Sequence, residues 1–193
     1  MAIDAELGML VTEIDANLSH AETITHGLTD AQFNWRPEAG RWSIAECVSH
    51  LVIVDGGDIA PLRAAIEKGR AQNRTGEGPY EYGFLARKFV SSMDLPVKKK
   101  FKAPKYYVPP PESGLEKTMA EYRRVAGEIR ALAISANGLH LGKVQSELPQ
   151  LPKVLRAIIK MPLGARLALM VAHDRRHLWQ AEQVRQDAKF PKE

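Results

Sequence analysis

Apolar residues recur at helical spacing along most of the chain. Leu7, Leu10, Ile14, Leu18 and Ala21 form one face of a segment running from about Ile3 to His26. A second helix is predicted from Ser43 to about Lys68. It opens with Ser43-Ile44-Ala45-Glu46, a capping box in which serine and glutamate side chains each accept from the other's backbone amide. Gly56, Gly57 and Pro61 lie inside it and predict a kink. A third helix is expected to open with a similar box, Ser113-Gly114-Leu115-Glu116. Its apolar positions are Leu115, Met119, Tyr122, Ala126, Ile129 and Ala133, and Asn137-Gly138 is its stop signal. The fourth runs from about Leu163 to Ala188, with Leu163, Leu167, Met170, Ala181 and Val184 facing inward.

The connections read differently. Leu28 to Trp42 contains Asn34-Trp35-Arg36-Pro37 and Gly40, the composition of a link. Gly69 to Glu112 is too long to be structureless in a compact domain, and Tyr82, Leu85, Phe89 and Met93 predict a short helix within it. Pro109-Pro110-Pro111 then enforces an extended approach to the third helix. Between Leu139 and Pro162 a short helix beginning at Pro152 is expected. No run alternates convincingly enough to be a strand. The expected fold is all-α: one domain over residues 1–193, an antiparallel four-helix bundle with a long crossover link between the second and third helices.

Composition narrows the class. With 193 residues, of which 45% are hydrophobic, the chain can bury a sizeable core. The net charge of +4 is local. Removing Lys98, Lys99, Lys100, Lys102 and Lys105 turns it to −1, so the balance does not argue for nucleic-acid binding. That lysine loop reads as a solvated segment in preference to an anion-binding patch. A lone cysteine, Cys47, rules out an intramolecular disulfide and fits a reducing compartment. The first residues lack the basic start and apolar run of a signal peptide, and no stretch approaches the ~18 apolar residues of a membrane span. The expectation is a cytoplasmic protein without membrane or nucleic-acid partners.

The chemistry concentrates in three histidines. His173 and His177 are four apart on the fourth predicted helix, roughly 40° from one another around its axis and inside its apolar arc. His50 sits on the second helix among Val48, Leu51, Val52 and Val54. Buried imidazoles are costly when charged and need partners when neutral, and a metal ion answers both demands. Three protein ligands would leave a coordination position open, as catalytic sites require. Spacing alone leaves ordinary core histidines an equal alternative.

The surrounding residues bear on that choice. Asn34-Trp35-Arg36-Pro37, then Gly40-Arg41-Trp42-Ser43-Ile44-Ala45-Glu46 and Ser49-His50-Leu51, resemble the second-helix entry of the DinB-like (damage-inducible) four-helix bundle superfamily, with its YfiT-like metal-binding proteins. Ala172-His173-Asp174-Arg175-Arg176-His177-Leu178-Trp179-Gln180 resembles its fourth-helix motif. The proline-rich link Phe101-Lys102-Ala103-Pro104 through Pro109-Pro110-Pro111 is similar to one branch. The resemblance spans about residues 5–186. It implies a divalent metal held by His50, His173 and His177, in a hydrolase or a transferase of low-molecular-weight thiols.

Zinc, nickel, iron(II) and manganese all suit such a site, and sequence does not choose among them. A bound ion would polarise a carbonyl, lower the pKa of bound water to ~7, or bind and deprotonate a substrate thiol. The expectation is therefore a metal-dependent hydrolase or thiol-dependent S-transferase acting on a small molecule. The alternative is a non-catalytic metal-binding module of a stress response. No residue is assigned to an organic cofactor, and no catalytic acid or base is assigned. Asp174 could serve a ligand imidazole or act as a base, but a surface salt bridge with Arg175 or Arg185 is the preferred reading. Cys47 reads as a buried inert thiol, Glu46 as a cap, and Trp42 and Trp179 as packing residues. His20, His26 and His140 read as surface or terminal residues. Symmetry alone makes a homodimer the expected oligomer.

Overall fold

The structure, a computed structural model, describes residues 2–97, 102–149, 154 and 159–192. Its helices are α1 (Ala5–Thr25), α2 (Asp30–Asn34), α3 (Ile44–Ala71), α4 (Phe84–Ser91), α5 (Leu115–Ser135) and α6 (Leu163–Arg185). The fold is mostly helical. The four long helices follow the apolar periodicity: α1 packs against α6, α5 against α3, α1 against α5, and α3 against α6.

Polar caps set the helix starts. Asp4 accepts from the Glu6 and Leu7 amides at the head of α1. The Ser43–Glu46 box forms as expected, and α3 then runs unbroken through Gly56, Gly57 and Pro61. The box expected at Ser113 does not form. Gly114 caps α5 without a side-chain bond, because Ser113 is engaged elsewhere: its Oγ lies 3.1 Å from Ser49 Oγ, and its amide donates to Asn34 Oδ1. Asp30 supplies the missing acceptor, taking the Leu115 amide at 2.8 Å.

The 28–42 link is also more structured than its composition suggests. Thr29 and Gln32 close a capping box on α2, which buries Phe33 completely. The short helix expected around residues 82–93 is α4, but it presents a different face. Tyr82, Ala86, Val90 and Met93 pack on Met161, Ala165 and Leu169, while Leu85 and Phe89 are exposed. Two three-residue strands contradict the strand-free expectation. β1 (Gln145–Glu147) pairs antiparallel with β2 (Lys160–Pro162), with Ser146 opposite Met161. Such short pairs carry too few alternating positions to register in sequence. The helix expected from Pro152, and Lys98–Lys100, lie outside the described residues apart from Val154.

Beside the small cluster under α4, two larger apolar clusters fill the interior among the described residues. One gathers Leu7, Leu10, Ile14, Leu62, Ile66, Ile129, Leu163 and Leu167; the other Ala21, Ile24, Phe33, Ile44, Val48, Leu51, Leu178 and Val184. On α6 the first cluster ends at Val171 and the second starts at Leu178. On α3 the second ends at Leu51 and the first starts at Leu62. The residues between these limits include Asp55 and Asp58 on α3, and His173, Asp174 and His177 on α6. A polar layer therefore crosses the core between two apolar halves.

Candidate metal centre

His50 lies near the start of α3, and its position follows from how that start is held. Ser43 Oγ accepts from the Glu46 amide at 3.1 Å, and Glu46 Oε2 accepts from the Ser43 amide at 2.9 Å. Arg36 closes a fork on the same carboxylate, donating from Nε at 2.8 Å and from a terminal nitrogen at 2.7 Å. One buried carboxylate thus ties the incoming link to the helix. Trp42, just before the cap, is placed with its indole 4.9 Å from the His50 ring and 5.6 Å from His177, nearly parallel to the latter at 28°.

His173 and His177 face His50 from α6. The three ring centroids are 4.6–5.2 Å apart. One potential ligand atom from each lies within 4.8 Å of the others. His50 Nε2 and His173 Nε2 are separated by 3.3 Å. His50 Nδ1 donates to the Tyr107 carbonyl at 2.8 Å, from a single 3₁₀ turn at Lys105–Tyr107. A carbonyl can only accept, so the proton sits on Nδ1 and the Nε2 lone pair faces His173.

Electrostatics hold the rings neutral. Burial lowers the His50 pKa against the opposing pull of the Tyr107 carbonyl. His173 is pushed down to about 3, by burial first and then by His50, Arg166 and Arg176. His177 is lowered well below its ordinary value, chiefly by burial and then by the two neighbouring histidines. Neutral imidazole is the form that binds metal. Nδ1 of both His173 and His177 is buried without a hydrogen-bond partner. Two imidazole nitrogens bound at ~2.0–2.1 Å to one tetrahedral ion lie roughly 3.3–3.4 Å apart, matching the observed His50–His173 separation. The residues fit a divalent ion.

A family model for the DinB superfamily matches residues 13–181. The chain belongs to the DinB superfamily. No curated protein and no solved structure gives a match. The matched region of this DinB-superfamily chain contains all three histidines and every residue that touches them above.

Several other expectations meet the structure here. Asp174 makes no surface salt bridge. It is 9% exposed, and its Oδ2 accepts from the Tyr122 hydroxyl at 3.1 Å. Arg175 instead pairs with Glu13 and Asp94, and Arg185 donates to carbonyls at the end of α1. Tyr122, reaching from α5, takes the place of the expected surface partner. Cys47 is buried as expected, and burial pushes its thiol pKa far up. His140 is half-buried against Tyr80, 5.3 Å between ring centroids, instead of on the surface. Trp42 is more than packing, since it forms a wall of the histidine site.

Sequence reading missed the Tyr107 carbonyl and the carboxylates Asp55 and Asp58. A cleft of about 1180 Å³, lined by residues such as Asp4, Glu6, Arg70, Glu77 and Asn137, contains none of the three histidines.

Proposed function

We propose that this chain is a metal-dependent enzyme acting on a small molecule, either as a hydrolase or as a transferase of a low-molecular-weight thiol. The observation that carries this reading is the gathering of three neutral imidazoles within 4.8 Å on two helices. His173 and His177 keep partial exposure, so the site is not sealed as a structural one would be. A divalent ion held by His50, His173 and His177 supplies Lewis-acid polarisation of a carbonyl, or binding and deprotonation of a thiol. The chain's own residues do the rest. The Tyr107 carbonyl fixes the His50 tautomer and ring plane, as metal-binding histidines require. Trp42 covers one side of the rings and excludes water there. The fork between Arg36 and the buried Glu46 carboxylate holds Trp42 and His50 in register.

The proposal extends to the whole chain: a single domain, four long helices arranged as an antiparallel bundle with the segment between α3 and α5 as its crossover, and a cytoplasmic homodimer. Among the described residues no helix is long and apolar enough to cross a membrane.

The test uses cobalt-loaded protein titrated with cysteine. A new sulfur-to-cobalt absorption band, lost in the His173→Ala, His177→Ala double variant, supports thiol chemistry. Metal-dependent consumption of thiol with monobromobimane would extend it to transfer. No band with cysteine, and no metal-dependent hydrolysis of ester or amide substrates, contradicts the enzymatic reading.

A further inference from the structure

Beneath the histidines lies a second group that the proposed function does not use. Asp55 on α3 and Asp174 on α6 are 3% and 9% exposed. With His173 they offer three ligand atoms, all within 4.8 Å of one another. One oxygen of each carboxylate, Asp55 Oδ1 and Asp174 Oδ1, is buried with no hydrogen-bond partner, and so is His173 Nδ1. Buried polar atoms are nearly always satisfied, so three orphans together call for an occupant.

The charge count points the same way. Asp58, 1% exposed, adjoins the pair and is bound to the guanidinium of Arg166. These three carboxylates share the interior with two buried guanidiniums, Arg166 and Arg176, leaving an excess of one negative charge if all are ionised. Asp55 and Asp174 each bring an oxygen within 4.8 Å of the other. A buried pair of this kind must hold either a proton or a cation. Tyr122 donates to Asp174 Oδ2 from the α5 side, which leaves Oδ1 as that carboxylate's unpartnered oxygen. Neighbouring side chains therefore position the oxygens that remain free.

We infer that Asp55, Asp174 and His173 form a second cation site beside the three-histidine group; with both sites filled His173 bridges the two ions as imidazolate, its remaining N–H proton leaving to solvent as the second ion binds. Two carboxylates and one imidazole form a harder donor set than three imidazoles. The site suits manganese(II) or a similar oxygen-preferring divalent ion. Its two carboxylates match the charge of that ion.

The experiment counts bound manganese(II) by electron paramagnetic resonance. In a His50→Ala, His177→Ala double variant the three-histidine group is destroyed while Asp55, Asp174 and His173 remain. That variant is expected to retain one manganese ion per chain, lost when Asp55→Asn is added. No manganese in the double variant, or manganese indifferent to Asp55→Asn, overturns the proposal and leaves a proton shared by the carboxylates. If circular dichroism shows the double variant unfolded, the same count is made on the otherwise native chain. There Asp55→Asn should remove one manganese ion, and an unchanged count overturns the proposal. Failure of the three-histidine reading would look different: the native chain would bind no more metal than the folded double variant.

Discussion

A histidine that is hard to charge in the folded chain makes stability depend on pH, and the sign follows from its shift. His173 falls from the ordinary 6.5 to about 3 on folding. Between those values the unfolded chain binds the extra proton, so this contribution is complete above ~6.5 and is lost as pH falls toward the folded value. Asp174 works in the opposite sense. Burial raises it to about 7, so its contribution is present below its unfolded pKa and is lost as pH rises through about 7. The two opposing slopes can be separated by comparing variants. For metal-stripped protein, His173→Ala should lose stability between pH 6.5 and 4 less steeply than the native chain, by about 1.4 kcal/mol per pH unit. Urea unfolding at stepped pH measures this, and identical slopes contradict it. At this scale sequence revealed the residue types with recognisable spacing. His50, His173 and His177 were legible. The Tyr107 carbonyl was not, because a backbone acceptor leaves no mark on residue identity. Asp55 and Asp58 flank Gly56 and Gly57, where the sequence predicts only a kink, and no spacing singles them out as a buried layer.

Helix starts, at the next scale, decide whether those residues meet. Glu46 satisfies the Ser43 amide and carries the Arg36 fork while almost wholly buried. Ser43→Ala removes one capping acceptor and should cost about 1 kcal/mol. Glu46→Ala removes the reciprocal cap and also unpairs Arg36. It should cost about 2 kcal/mol, the half-exposed guanidinium limiting the rest. Urea denaturation midpoints check the order, and a Ser43→Ala loss exceeding that of Glu46→Ala contradicts it. The same four-residue signature was read correctly at Ser43 and wrongly at Ser113. Local spacing cannot show that Ser49 and Asn34 compete for the second serine, or that Asp30 on α2 supplies the α5 cap from a distance. Likewise, α4 was legible as a helix, but the face it buries was not. Its few apolar positions fit more than one arc, and Met161, Ala165 and Leu169 select the one containing Ala86 and Val90.

At the scale of the whole molecule, the clearest feature is a polar layer between two apolar clusters. Hydrophobic periodicity gave both clusters, because their residues lie far enough along each helix to repeat. The layer itself interrupts that repeat, so sequence shows its members only as isolated polar residues on apolar faces. The fold holds them with specific partners: Asn17 donates to the Val171 carbonyl, Tyr122 to Asp174, and Arg166 pairs with Asp58. An apolar core would avoid their desolvation cost, and metal binding supplies a reason to keep them. Elemental analysis of natively purified protein, alongside the His173→Ala, His177→Ala variant, tests this claim most directly. The account predicts bound divalent metal in the native chain, with the ion of the three-histidine group lost in the variant. A native chain that holds no metal, even after incubation with zinc, nickel, iron(II) and manganese(II), would contradict it.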